Sequence, residues 1–222
     1  MAKSAKKVKR ELYGPSFFEV TIGAVISLVL GGVLAAGYLI AQPVQTVRSL
    51  PQEPDPDRVY YVMGSARSSQ GGQWLRKKQM ISEEGAIAIS LTSDELNTWY
   101  SSSETKPDSA EGPGMISTQS IKFRLHEGAL QVGLPCDISL PGFSRSFVVQ
   151  ARGGFSTDGD RFTFQPQEIM IGQLAAHKLP IVGGFVMNRI FAAQEIPHEI
   201  EDDWDSLDDV SVQGDKLALV RY

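Results

Sequence analysis

Hydrophobic residues follow two regimes along this chain. From Val20 to Ala41, "VTIGAVISLVLGGVLAAGYLIA" holds no charged residue. Beyond Arg58, apolar residues come in short runs broken by Gly, Asp, Asn and Pro. The first regime predicts a helix over 20–41; at about 1.5 Å per residue it is long enough to cross a hydrocarbon core of roughly 30 Å. A buried helix of a soluble domain seldom keeps so long an unbroken apolar run. A cleaved export signal fits less well too, because its apolar stretch is usually about 7–15 residues and Leu39 sits three residues before the best cut after Ala41.

The second regime predicts an α+β domain. "RVYYVMG" reads as a first strand, and "GGQWLRKKQMIS" as a helix near 70–80 with Trp74, Leu75 and Met80 as apolar contacts and Arg76, Lys77 and Lys78 solvated. In "AIAISLTSDELNTWY", Ile87, Ile89 and Leu91 alternate as strand residues do. Thr92 and Glu95 then have the spacing of a capping box, and Leu91 and Leu96 that of a hydrophobic staple, so a helix is expected over 92–101. Leu96, Trp99 and Tyr100 share one face of it.

From Ser120 the period is two. Ile121, Phe123 and Leu125 alternate with Lys122, Arg124 and His126; after an "EG" turn come Leu130, Val132 and Leu134. Phe147, Val149 and Ala151 repeat the pattern, followed by a turn at Asp158–Gly159, then Phe162, Phe164, Ile169 and Ile171, and a closing hairpin around Gly214. Such runs with short Gly-containing turns indicate an antiparallel meander with one wet face. Further helices are expected near 180–193 and 199–206, packed on the apolar face. The fold class is therefore α+β: an N-terminal transmembrane helix, then an antiparallel β-sheet domain with a few packed helices.

Charge orients this arrangement. Lys3, Lys6, Lys7, Lys9 and Arg10 precede the apolar run, and Arg48 alone follows it closely. The positive-inside rule keeps such an N-terminus in the cytoplasm and exports the rest, with Tyr13, Phe17 and Phe18 at the inner interface. Of 21 basic and 26 acidic residues, residues 1–19 hold five and two, which leaves 16 against 24 beyond them, a net of −8. An acidic exported domain argues against nucleic acid as a partner. The expected organisation is a cytoplasmic basic arm (1–19), a membrane helix (20–41), a Pro-rich linker (42–57) carrying Pro43, Pro51, Pro54 and Pro56, and an extracytoplasmic domain (58–222). The location this implies is the bacterial inner membrane, with a single pass and a periplasmic C-terminal domain.

Chemistry is sparse. Cys136 is the single cysteine, so no intramolecular disulfide or CxxC zinc frame exists, and its "GLPCDISL" setting predicts a buried small hydrophobe. His126, His177 and His198 are scattered without metal-ligand spacing. "EIPHEIEDDWDSLDD" carries eight acidic residues from Glu195 to Asp209, but not the spacing or glycine of a calcium loop, and reads as a solvated helix face. No GxSxG elbow or GxxxxGK phosphate loop is present. A non-enzymatic protein without cofactor is the expectation.

The order of span, "LTSDELNTWY" unit, meandering strands and late "KLPIVGGFVMNRIF" segment resembles small single-pass bacterial envelope proteins, and within them TULIP- or AsmA-like lipid-binding domains. The resemblance covers roughly residues 86–193 and implies a curved sheet with an apolar groove. In 180–193, Pro180 suits a first helical turn, and the apolar positions spread over most of the circumference, so the helix is buried on several sides or offers one to something else. Phe185, Met187 and Phe191 are the residues expected to line or cover such a groove, with Leu96 and Trp99 beside them. The expected partners are the bilayer and a lipid ligand or membrane-protein partner. The alternative is an accessory or scaffolding subunit of an envelope complex, to which the small residues of "GAVISLVLGG" are suited.

Overall fold

The computed structural model describes residues 14–47, 51, 53, 59–62, 71–83, 85–103, 116–140, 142–158, 161–179, 183–184 and 198–222. It forms two units, one up to Leu39 and one from Ile40 onward. Helix α1, Phe17–Ala41, makes up most of the first. It starts three residues before the uncharged run because Ser16 and Glu19 form a capping box: Ser16 Oγ accepts from the Glu19 N–H (3.3 Å), and Glu19 Oε2 accepts from the Ser16 N–H (3.2 Å). No side chain of α1 is buried, and it is the one described helix long and apolar enough to cross a membrane.

The second unit is α+β. Strands β1 (Gln45–Val47) and β2 (Tyr60–Val62) pair in parallel. The segment expected as a plain spacer thus contributes a strand, since the stretch between Pro43 and Pro51 keeps its backbone donors. Helix α2 spans Gly71–Ser82, β3 Ile87–Thr92 and α3 Ser93–Ser103. Next come β4 (Ile116–Thr118), β5 (Lys122–His126), β6 (Ala129–Leu140), β7 (Phe143–Asp158), β8 (Arg161–Ile171) and β9 (Leu174–Ala175). A 3₁₀ turn at Ala176–Lys178, helix α4 (His198–Asp205) and the hairpin β10 (Asp209–Gln213) and β11 (Lys216–Arg221) complete the described elements.

Two antiparallel sheets share one core. The larger runs β4-β6-β7-β8-β9, with β5 also paired to β6; the smaller runs β10-β11-β3. The inward positions are those the alternation predicts. Leu130, Val132, Leu134 and Cys136 on β6 face Phe147, Val149 and Ala151 on β7, then Ile169 and Ile171 on β8, and all are buried. The β5–β6 turn places Glu127 and Gly128 both at positive φ (52° and 73°), as a two-residue hairpin matching strand twist requires.

The aromatic and aliphatic positions of β8 differ in parity, 162 and 164 against 169 and 171. The structure resolves this with a bulge: Gly153 pairs with Pro166 while Arg152 pairs with Glu168, so Gln167 is the extra residue. Proline, lacking the N–H, suits that break in the ladder. Beyond it, Phe155 and Phe164 pack edge to face, and α4 lays Trp204 on Phe155 while its indole N–H donates to the Phe162 carbonyl (3.0 Å).

Helix α2 corrects one sequence reading. Trp74 and Ile81 are buried, whereas Leu75 is 66% and Met80 38% exposed. The inward stripe is 74, 77, 78, 81, and it includes two lysines expected in solvent. Arg221 closes this end, its guanidinium donating to the carbonyl of Ile81 in the last turn of α2 and to those of Glu83 and Gly85 just after it.

Candidate functional site

The structure puts Leu96 (8% exposed) and Trp99 (1%) inside the core, with the Trp99 ring 6.2 Å from that of Trp74. Phe185, Met187 and Phe191 lie outside the described residues, as does nearly all of 180–193. Of that segment, Gly183 and Gly184 are helical, the first buried and the second exposed.

Helix α3 is held by α2, β3 and β5. The capping box forms as its spacing predicts: Thr92 Oγ1 accepts from the Glu95 N–H (3.3 Å), and Glu95 Oε2 accepts from the Thr92 N–H (2.9 Å). The same buried carboxylate takes the Lys77 ammonium at 2.7 and 2.8 Å, and that ammonium also donates to the Ser90 carbonyl (2.7 Å). Burial pushes the Glu95 carboxyl up, but the Lys77 ammonium and the Thr92 N–H and hydroxyl outweigh it and hold it below its ordinary value. Two residues on, buried Asn97 treats the free edge of β5 as a neighbouring strand would. Its Oδ1 accepts from the Phe123 N–H (2.8 Å), and its Nδ2 donates to the Phe123 carbonyl (2.7 Å). Ser93 Oγ accepts from the Leu125 N–H (2.8 Å). Residues four apart on the helix meet backbone groups two apart on the strand, which protects an open edge.

The second face of the large sheet is the more informative surface. Directly paired residues share a face, so the register lays out two rows. One is Arg124, Gln131, Arg152, Glu168; the next is Lys122, Gly133, Gln150, Met170. The alternation predicts this face as wet, yet Tyr61 of β2 covers part of it. A Cβ on Gly133 would lie 2.4 Å from Tyr61 Cε2, so glycine is what admits the ring. Tyr61 is 5% exposed, and Gln150, the register neighbour of Gly133, is 4% exposed.

Hydrogen bonding is incomplete at this place. Gln150 Oε1 accepts from Gln131 Nε2 (2.6 Å), which turns Gln150 Nε2 away, and that amide nitrogen has no acceptor. Tyr61 Oη is likewise buried without a partner, and burial pushes its phenol up to about 12, so it stays a donor at neutral pH. Arg124 is half-buried; among the described residues it makes no hydrogen bond and no ion pair within 4 Å. Burial draws its guanidinium downward, Asp215 and Glu127 oppose that, and Arg152 adds to it. Arg152 has loose partners, Glu127 at 3.3 Å and Glu168 at 3.9 Å, both carboxylates well exposed. Beside it a cleft of about 210 Å³ opens over Ala129 and Gly154, walled by Arg152, Glu127 and Glu168. By the alternation alone this surface is a solvated strand face. The signal that marks it is a basic run, Lys122, Arg124 and His126, within an acidic domain.

The remaining candidates serve other ends. Cys136 is buried and its thiol is pushed up to about 12, first by burial and then by Asp137. His177 Nδ1 lies 3.3 and 3.1 Å from the backbone nitrogen and oxygen of Ile169. His126 stands between Glu127 (3.7 Å) and Asp215 (3.5 Å), and His198 near Glu201 (3.8 Å). On α4, Glu199 binds Lys78 (2.8 Å) while Glu201 and Asp202 are exposed. Among the described residues no three His, Cys, Asp or Glu side chains gather as a metal site needs. Comparison of the chain with protein-family models, curated proteins and solved structures returns no match.

Proposed function

We propose that this protein is a single-pass membrane-anchored domain of non-enzymatic type, exported from a bacterial inner membrane, which binds a lipid or a membrane partner. The observation that carries the reading is α1: 25 residues, long and apolar enough to cross a membrane, with no side chain buried. Phe17 and Phe18 near one end and Tyr38 near the other are exposed. About 31 Å of helix separates Phe17 from Tyr38 at 1.5 Å per residue, the thickness of a hydrocarbon core, with rings at both interfaces. The basic residues before it set the N-terminus in the cytoplasm. The likeness of "LTSDELNTWY" and the late apolar segment to lipid-binding envelope domains directs the reading toward a lipid.

A second reading, an accessory subunit of an envelope complex, is favoured by Gly23, Ser27, Gly31 and Ala35. Spaced four apart, they line one side of α1 with small residues, which permits close helix contact in a bilayer. Protease added to osmotically opened cells tests the common part: the C-terminal domain is digested and the N-terminal arm spared, whereas protection of the domain refutes export. Native mass spectrometry of detergent-extracted protein then separates the readings, a retained lipid supporting the first and a stoichiometric protein partner the second.

A further inference from the structure

The second face of the large sheet has more hydrogen-bond donors than acceptors to receive them. Gln150 Nε2 offers two N–H groups and Tyr61 one O–H, all without a partner and both side chains more than nine-tenths buried. In the adjoining row, Arg124 and Arg152 flank Gln131 strand by strand. Arg124 makes no hydrogen bond among the described residues although it is partly buried. Unpaired buried donors are costly, and two guanidinium groups on one small surface repel. Three of these groups belong to separate strands, so the arrangement exists only in the folded sheet.

We propose that Arg124, Arg152, Gln150 and Tyr61 form an oxyanion site that takes a phosphate group. Two guanidinium forks, an amide and a phenol present more donors than the two oxygens of a carboxylate accept, and they match a phosphate. Glu127 and Asp215, each in a hairpin turn, and Glu168, paired with Arg152 on β8, have exposed side chains. They balance the guanidinium groups loosely, as exposed pairs do, and swing into water when an anion binds. The phosphate comes from a lipid headgroup or from a soluble phosphate ester. The site requires no membrane span, so it stands or falls apart from the anchoring proposed above.

The test uses the full chain in a neutral maltoside micelle. Thermal unfolding is followed in inorganic phosphate and in chloride at matched ionic strength. A second series adds phosphatidylglycerol to the micelles. Phosphate at about ten times its Kd raises Tm by about 3–6 °C in a saturable way. Arg124→Gln and Arg152→Gln each remove most of that rise, weakening binding at least about tenfold, the effect of losing a charge-assisted pair. Arg76→Gln, on the exposed side of α2, leaves it intact. A rise with phosphatidylglycerol that vanishes in Arg124→Gln assigns the site to a headgroup; a rise with inorganic phosphate alone assigns it to a soluble ester. Absence of any Arg124-dependent rise in both series overturns the site, as does a rise of equal size in the parent and both arginine variants. Should Arg124→Gln fail to fold, Arg152→Gln, whose parent side chain is 39% exposed, decides the matter alone.

Discussion

Truncating Asn97 is the sharpest test of how this domain is held together. Its amide makes three hydrogen bonds of 2.7–2.8 Å, two to the Phe123 backbone and one to the Ser93 carbonyl, from a buried position between α3 and the edge of β5. Asn97→Ala leaves the Phe123 N–H and C=O unpaired beneath the helix, and each such group costs about 1–3 kcal/mol. The small cavity adds to the loss. We expect at least about 3 kcal/mol, which in a domain of this size lowers Tm by roughly 6–12 °C. Far-UV circular dichroism and tryptophan fluorescence of the full chain in neutral detergent measure it, the latter through the buried Trp74–Trp99 pair. Asn97→Asp sharpens the reasoning: it keeps an acceptor for the Phe123 N–H but turns a carboxylate toward two carbonyls, and so it destabilises comparably. A melting point for Asn97→Ala within about 2 °C of the parent, given a cost of about 1 kcal/mol or more per orphaned group, would mean that water reaches the edge freely and that the side chain only fills space.

Two further outcomes follow from the same geometry. Gly153→Ala brings a Cβ within 1.9 Å of the Gln165 carbonyl oxygen, backbone that cannot step aside, whereas Gly154→Ala meets nothing within 4 Å; expression and Tm should show the first unfolded or strongly destabilised and the second near the parent. For Glu95, the folded carboxyl lies below its ordinary value of 4.5, so its contribution is complete above that pH and is lost as pH falls through the lower folded value. The Tm of the parent therefore declines below about pH 4.5 more steeply than that of Glu95→Gln, and parallel declines would exclude Glu95 as the source.

What was legible from the chain alone is what neighbours within about four residues decide. The Thr92–Glu95 box, the β5–β6 turn and the inward positions 130–136 and 147–151 follow from side-chain size and backbone preference in sequence order. The Ser16–Glu19 box and the parity change across Pro166 were equally local and present in the letters, a cap and a bulge awaiting recognition. The fate of charged and polar residues was not local. Lys77 read as solvated because a lysine on a short helix usually is; it lies inward because β3 and α3, folded over it, present Ser90 and Glu95 18 residues or fewer away in sequence but within hydrogen-bond reach in space. The wet face of the sheet became partly dry because β2 sets Tyr61 on Gly133, a contact across 72 positions. Period two states which residues share a face; it cannot state what covers that face. Desolvation and pairing depend on atoms brought from distant positions, so the composition of the Arg124–Gln131–Arg152 row was written in the sequence, while its burial and its unpartnered donors were decided by the tertiary structure.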